Sequence, residues 1–161
     1  LVAAVLERLM IIAGAVFSKP LVYLPLIGVW LVTGIYFIVN HDEKHGHSYV
    51  MSTGLAHVFT AFMISPFAKS DLAWSFSDIR TVVVLILFAY GIFLTVLGII
   101  KAFPDLLAEF FGDPGHALVP SMMAVLYVED TVPFDWTTFM ILVVPVVIVS
   151  AVKVVRRFSG R

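Results

Sequence analysis

TVVVLILFAYGIFLTVLGII, residues 81–100, runs for twenty positions without one charged side chain. A bilayer hydrocarbon core of about 30 Å takes about 20 apolar helical residues to cross, so this stretch predicts a transmembrane helix. Three further windows, 21–40, 48–67 and 136–155, meet or approach the same requirement. The last holds Pro145, expected to kink it, and Lys153, whose long stem can snorkel to the interface. The composition agrees: 61% of the 161 residues are hydrophobic and 13% charged, against roughly 45–50% and about 25% in soluble domains. Mean hydropathy is +1.04. The expected fold is an all-α integral membrane protein of four transmembrane helices, one domain over residues 1–161, seated in the lipid bilayer of a cell membrane.

The same counts exclude several functions. A net charge of −1 with no run of Lys and Arg leaves nothing to track phosphates, so no nucleic acid is expected as a partner. Without cysteine there is no disulfide, thiolate metal site, c-type haem attachment or cysteine nucleophile. The chain begins at Leu1 and not at Met, as expected of a processed or partial copy.

Positive charge sorts proteins across membranes, with Lys and Arg enriched in cytoplasmic loops. Four spans would place Arg8, Lys19, Lys69, Arg80, Lys153, Arg156, Arg157 and Arg161 on one side, and Lys44 and Lys101 on the other. That split predicts a multi-pass protein with both termini in the cytoplasm. The opposite face would receive Asp42, Glu43, Asp105, Glu109, Asp113, Glu129, Asp130 and Asp135. Residues 1–17 are apolar apart from Glu7 and Arg8. Burying both charges at mid-bilayer costs a few kcal/mol, which favours an interfacial helix over a fifth span.

Span 48–67 holds the one ionisable group well inside a span, His57, about 14 Å below Ser48 at 1.5 Å per residue. Thr53, His57 and Thr60 recur at helical spacing and form one polar stripe, which should face protein. Neutral imidazole offers one donor and one acceptor. These suit a hydrogen bond to Thr95, Tyr90 or a partner chain, and alternatively a haem iron or a quinone carbonyl. The stretch HDEKHGH, residues 41–47, packs three histidines between two spans. It reads as a solvated turn, and alternatively as a partner contact or a divalent-metal site using His41, His45 and His47, with Gly46 freeing His47 to swing in.

Residues 101–135 are too long and apolar for a simple loop. PDLLAEFF, with Pro104 at its start and Gly112 after its end, predicts a short amphipathic helix. PSMMAVLYVED predicts a second after Pro120, with DPGH at 113–116 as the tight turn between them. Both are expected to lie on or dip into the outer face, where His116 can join the first-loop histidines at the metal site. Gly91, Thr95 and Gly98 share a face of span 81–100, and Gly28 and Gly34 thin span 21–40, so close helix contacts are expected there.

HGHSYVMSTGLAHVFTAFMISPF, residues 45–67, resembles the start of the small third-tier subunits of haem-copper quinol oxidases, where a histidine-rich lead precedes the first span. That family's later histidine-bearing helix has no counterpart here, and the likeness is read as chance. No nucleophile elbow, phosphate loop, HExxH or pair of intramembrane carboxylates is present. The expected function is a non-catalytic membrane subunit that binds other membrane subunits or copies of itself. The alternatives are a redox or metal-binding subunit using His57, and a channel or transporter formed between copies.

Overall fold

In the computed structural model of the chain, the described residues are 2–20, 23, 27, 31, 35, 46–65, 78–130, 132, 133 and 135–159. They form α1 Val2–Ser18, α2 His47–Ile64, α3 Ile79–Ile99, α4 Asp105–Phe111, α5 Pro114–Val128 and α6 Trp136–Ser159, with no strand among them. The fold is all-α. The expected span 21–40 lies outside the described residues except at Tyr23, Ile27, Leu31 and Ile35, each helical.

α3 begins where the Asp78 carboxylate accepts a hydrogen bond from the Arg80 amide at 2.9 Å, satisfying one of the donors every helix start leaves unpaired. It stops before Lys101, which takes the left-handed φ of 53°. Among the described residues α3 alone is long and apolar enough to cross a membrane, and only 28% of its apolar window is buried. The expected spans 48–67 and 136–155 are weaker by this measure. The His and Thr of its buried face dilute the apolar character of α2, and α5 and α6 hold the shorter apolar stretches Gly115–Val128 and Trp136–Val149.

α2 and α3 run antiparallel and touch backbone to backbone. A Cβ added at Gly54 would lie 2.5 Å from the Thr95 amide nitrogen and hydroxyl and 2.6 Å from the Gly91 carbonyl. One added at Gly91 would lie 2.7 Å from the Gly54 carbonyl, and one at Gly98 2.6 Å from the Met51 nitrogen. The small face expected at Gly91, Thr95 and Gly98 therefore does pack closely, and its counterpart is Gly54. At the Gly98 end, α4 closes over the start of α2. There Gly46 takes φ +64° with its Cβ direction 3.2 Å from the Ala108 main chain, and Val50, Leu94 and Ala108 form a small core.

α5 departs from its sequence reading. DPGH is not a turn between two surface helices but the start of α5: the Asp113 carboxylate accepts from the Gly115 amide at 2.8 Å, Pro114 occupies the first turn, and the helix continues through Pro120. Pro114 fits because the first turn needs no amide donor. α5 then packs along α2 and α3 and ends beside the start of α3, where Arg80 meets Asp130 at 3.3 Å.

This overturns part of the charge sorting. Lys19 pairs with Glu129 at 3.1 Å and Arg8 with Asp135, so Glu129, Asp130 and Asp135 lie at the same end as Arg8, Lys19 and Arg80. The sequence reading separated them because it placed all of 101–135 on one face, whereas the length of α5 carries the chain back. A larger core fills this end, joining Ile12 and Ala15 of α1 to Ile64, Val84, Leu87 and Val125.

Two outcomes follow for stability. Gly54→Ala should lower it by about 1–3 kcal/mol through overpacking. Gly14→Ala, whose Cβ would meet nothing within 4 Å, should be neutral or raise it by up to about 1 kcal/mol; thermal melts of the two variants make the comparison. The second concerns Asp135, which the Thr138 amide, and then Arg8, hold below the ordinary carboxylate value. Because its folded pKa is depressed, its contribution is present above the unfolded pKa and is lost as pH falls through the lowered folded value. Melts taken as the pH is lowered below about 4 should therefore fall more steeply for the wild type than for Asp135→Asn.

Candidate functional site

The polar stripe of α2 faces protein: Thr53 and His57 have no exposed surface and Thr60 is buried. Each polar group has its own environment. The Thr60 hydroxyl donates to the Ala56 carbonyl at 2.8 Å, satisfied within its own helix. His57 Nδ1 lies 2.8 Å from the Ser121 hydroxyl of α5, itself fully buried. The Tyr90 ring of α3 covers the imidazole at 5.2 Å between centroids, tilted by 33°. His57 is thus enclosed by three helices.

The partner is not among those the sequence suggested. Thr95 turns its hydroxyl back to the Gly91 carbonyl at 2.8 Å, and Tyr90 contacts the ring face. Ser121 escaped notice because it falls in the segment read as surface. The residue before it shapes the same spot: Pro120 has no amide hydrogen to give the His116 carbonyl four residues back, and the main chain of His116 approaches the His57 imidazole. Thr53 Oγ1 and His57 Nε2, one helical turn apart, are buried without a hydrogen-bond partner among the described residues.

His57 and Ser121 have the spacing of a nucleophile and its base. Among the described residues no third group orients the ring through Nε2, however, and neither side chain has exposed surface to meet a substrate. A haem iron or quinone carbonyl likewise reaches Nε2 only if α2, α3 and α5 part. As folded, the pair ties α5 to α2.

The four histidines considered for a metal separate into two sets. His41 and His45 lie outside the described residues. His47 opens α2 and is buried, so Gly46 serves close packing where free movement of His47 was expected. His116 sits in the first turn of α5 with its ring against Phe110 and Phe111, 4.1 and 6.2 Å between centroids. Among the described residues no three His, Asp or Glu come together to hold a metal.

Beside Tyr90 the α3–α5 interface opens into an apolar groove of about 400 Å³, a feature with no signature in the sequence. Comparisons of the chain with protein-family models, curated proteins and solved structures return no match, and the functional reading rests on the chain's own residues.

Removing the Ser121 hydroxyl strands a buried imidazole nitrogen, at a cost of about 1–3 kcal/mol. Ser121→Ala should therefore destabilise by that amount, and the same change in a His57→Leu background by clearly less. A double-mutant cycle in denaturant measures the coupling; additive effects would show that the two side chains do not interact.

Proposed function

We propose that the chain is a multi-pass integral membrane protein acting as a non-catalytic subunit of a larger membrane complex or of a homo-oligomer. The carrying observation is the inverted distribution of side chains on α3. Gly91, Leu94 and Gly98 face protein, whereas Ile86, Phe93 and Ile99 are 64%, 56% and 61% exposed. Phe59 and Phe62 of α2 and Val147 and Ile148 of α6 are likewise more than half exposed. So many large apolar side chains left exposed are costly in water and ordinary in lipid.

The other helices extend the reading. α2, α5 and α6 supply further passes around α3. α1 is the interfacial helix, since Arg8 and Lys19, eleven positions apart, both reach the connector 129–135, which fits a helix lying across that end. With α5 as a pass, α6 starts beside Arg8 and leads the C-terminal residues to the opposite face. Among the described residues Lys and Arg then divide three against four, Arg8, Lys19 and Arg80 against Lys101, Lys153, Arg156 and Arg157, a bias too small to orient the protein. The enclosure of His57 supports neither a haem ligand nor a station on an ion path, and a subunit needs neither.

Two measurements test this. The protein should stay in the membrane fraction through alkaline carbonate, and native mass spectrometry after mild detergent should show a particle larger than one chain. Release by carbonate would refute the membrane reading, and a strictly monomeric, partner-free particle would refute the subunit reading.

A further inference from the structure

The groove between α3 and α5 is lined by Ile79, Val83, Ile86 and Tyr90 on one wall and by Met123 and Tyr127 on the other, among other side chains. Its lining is almost wholly apolar, so it offers nothing to an ion or a sugar. Its ends differ. Ile79 and Tyr127 lie beside the Arg80–Asp130 pair at the charged end of the bundle, while Tyr90 lies against His57 in the interior. Ile79 and Tyr90 stand eleven positions apart on α3, a length of about 16 Å. One leaflet of a bilayer core is about 15 Å deep. Ile79 and Ile86 are also 62% and 64% exposed, so the groove opens sideways to whatever surrounds the helices.

From this match of length, polarity and opening we infer that the groove seats one acyl chain of a membrane phospholipid. The chain enters at the Arg80 level, where the headgroup phosphate lies, and ends near Tyr90 at mid-bilayer. The inference rests on the membrane reading above and adds to it a defined lipid position where surrounding lipid would otherwise exchange freely. Tyr90 links the two sites, covering His57 with one side of its neighbourhood and closing the groove with the other.

The test uses the full chain in nanodiscs made with phosphatidylglycerol carrying a photoreactive diazirine, placed either near the carbonyl or near the end of one acyl chain. After illumination, adducts are mapped by peptide mass spectrometry. Groove residues should be labelled at least fivefold more than Phe93 and Ile99 on the outer face. The carbonyl-proximal probe should favour Ile79 and Tyr127, and the chain-end probe Tyr90 and Met123. Met123→Trp, which fills the groove, should abolish these adducts and spare those on Phe93 and Ile99; Val83→Phe fills it from the facing helix if the first variant does not fold. Even labelling of groove and outer face, the same pattern with both probes, or adducts that persist in the filled variants would overturn the site while leaving the membrane reading intact. Carbonate release of the wild type would overturn both.

Discussion

The close approach of α2 and α3 is the constraint on which the remaining structure depends. Gly54, Gly91 and Gly98 let the two backbones meet where any side chain would hold them apart. In lipid there is no hydrophobic force to press helices together, so dispersion between well-fitted surfaces supplies much of the attraction. That contact needs small residues in register. Once the register is set, Met51 faces Gly98, Val58 faces Gly91, and His57 is directed inward toward the third helix.

α5 completes what the pair begins. It meets α2 through the buried polar contact of His57 with Ser121 and returns along α3 to the end where Arg80 waits for Asp130. Pro120 interrupts the hydrogen-bond ladder of α5 at the point where the His57 imidazole stands near the main chain of His116. His57, Thr53 and Ser121 thus lie buried beside an apolar core, ion pairs lie at one end, and large apolar side chains such as Ile86, Phe93 and Ile99 are exposed on the perimeter. This is the arrangement expected when the surrounding medium is apolar and the interior carries the specificity.

Much of this could be read directly from residue order. The uncharged run 81–100 announced α3, the Thr53, His57, Thr60 spacing announced the buried face of α2, and Pro104 with Gly112 bracketed α4. What escaped was tertiary. Two prolines and a glycine within 114–120 resemble a broken loop, and only packing against two helices makes one continuous helix of them. Misplacing α5 then misplaced Glu129, Asp130 and Asp135, since counting charges across loops assumes the number of crossings. Gly54 sat unremarked among other small residues because a sequence shows which residues are small without showing which faces meet. The groove, a property of two helices, was invisible in either alone. His41 and His45 fall outside the described residues, and the metal reading of that turn has no structural counterpart to set beside it.

α5 carries the chain from the Lys101 end of α3 back to the Arg80 end. The absence of cysteine makes it directly measurable by placing spin labels at introduced cysteines and reading electron–electron distances in lipid. Labels at Lys101→Cys and Asp130→Cys should sit roughly 30 Å apart, the length of α3 at 1.5 Å per residue, while labels at Arg80→Cys and Asp130→Cys should be in close proximity. A short distance between 101 and 130, with 80 remote from both, would return residues 101–135 to a single face of the membrane and contradict the fold described above.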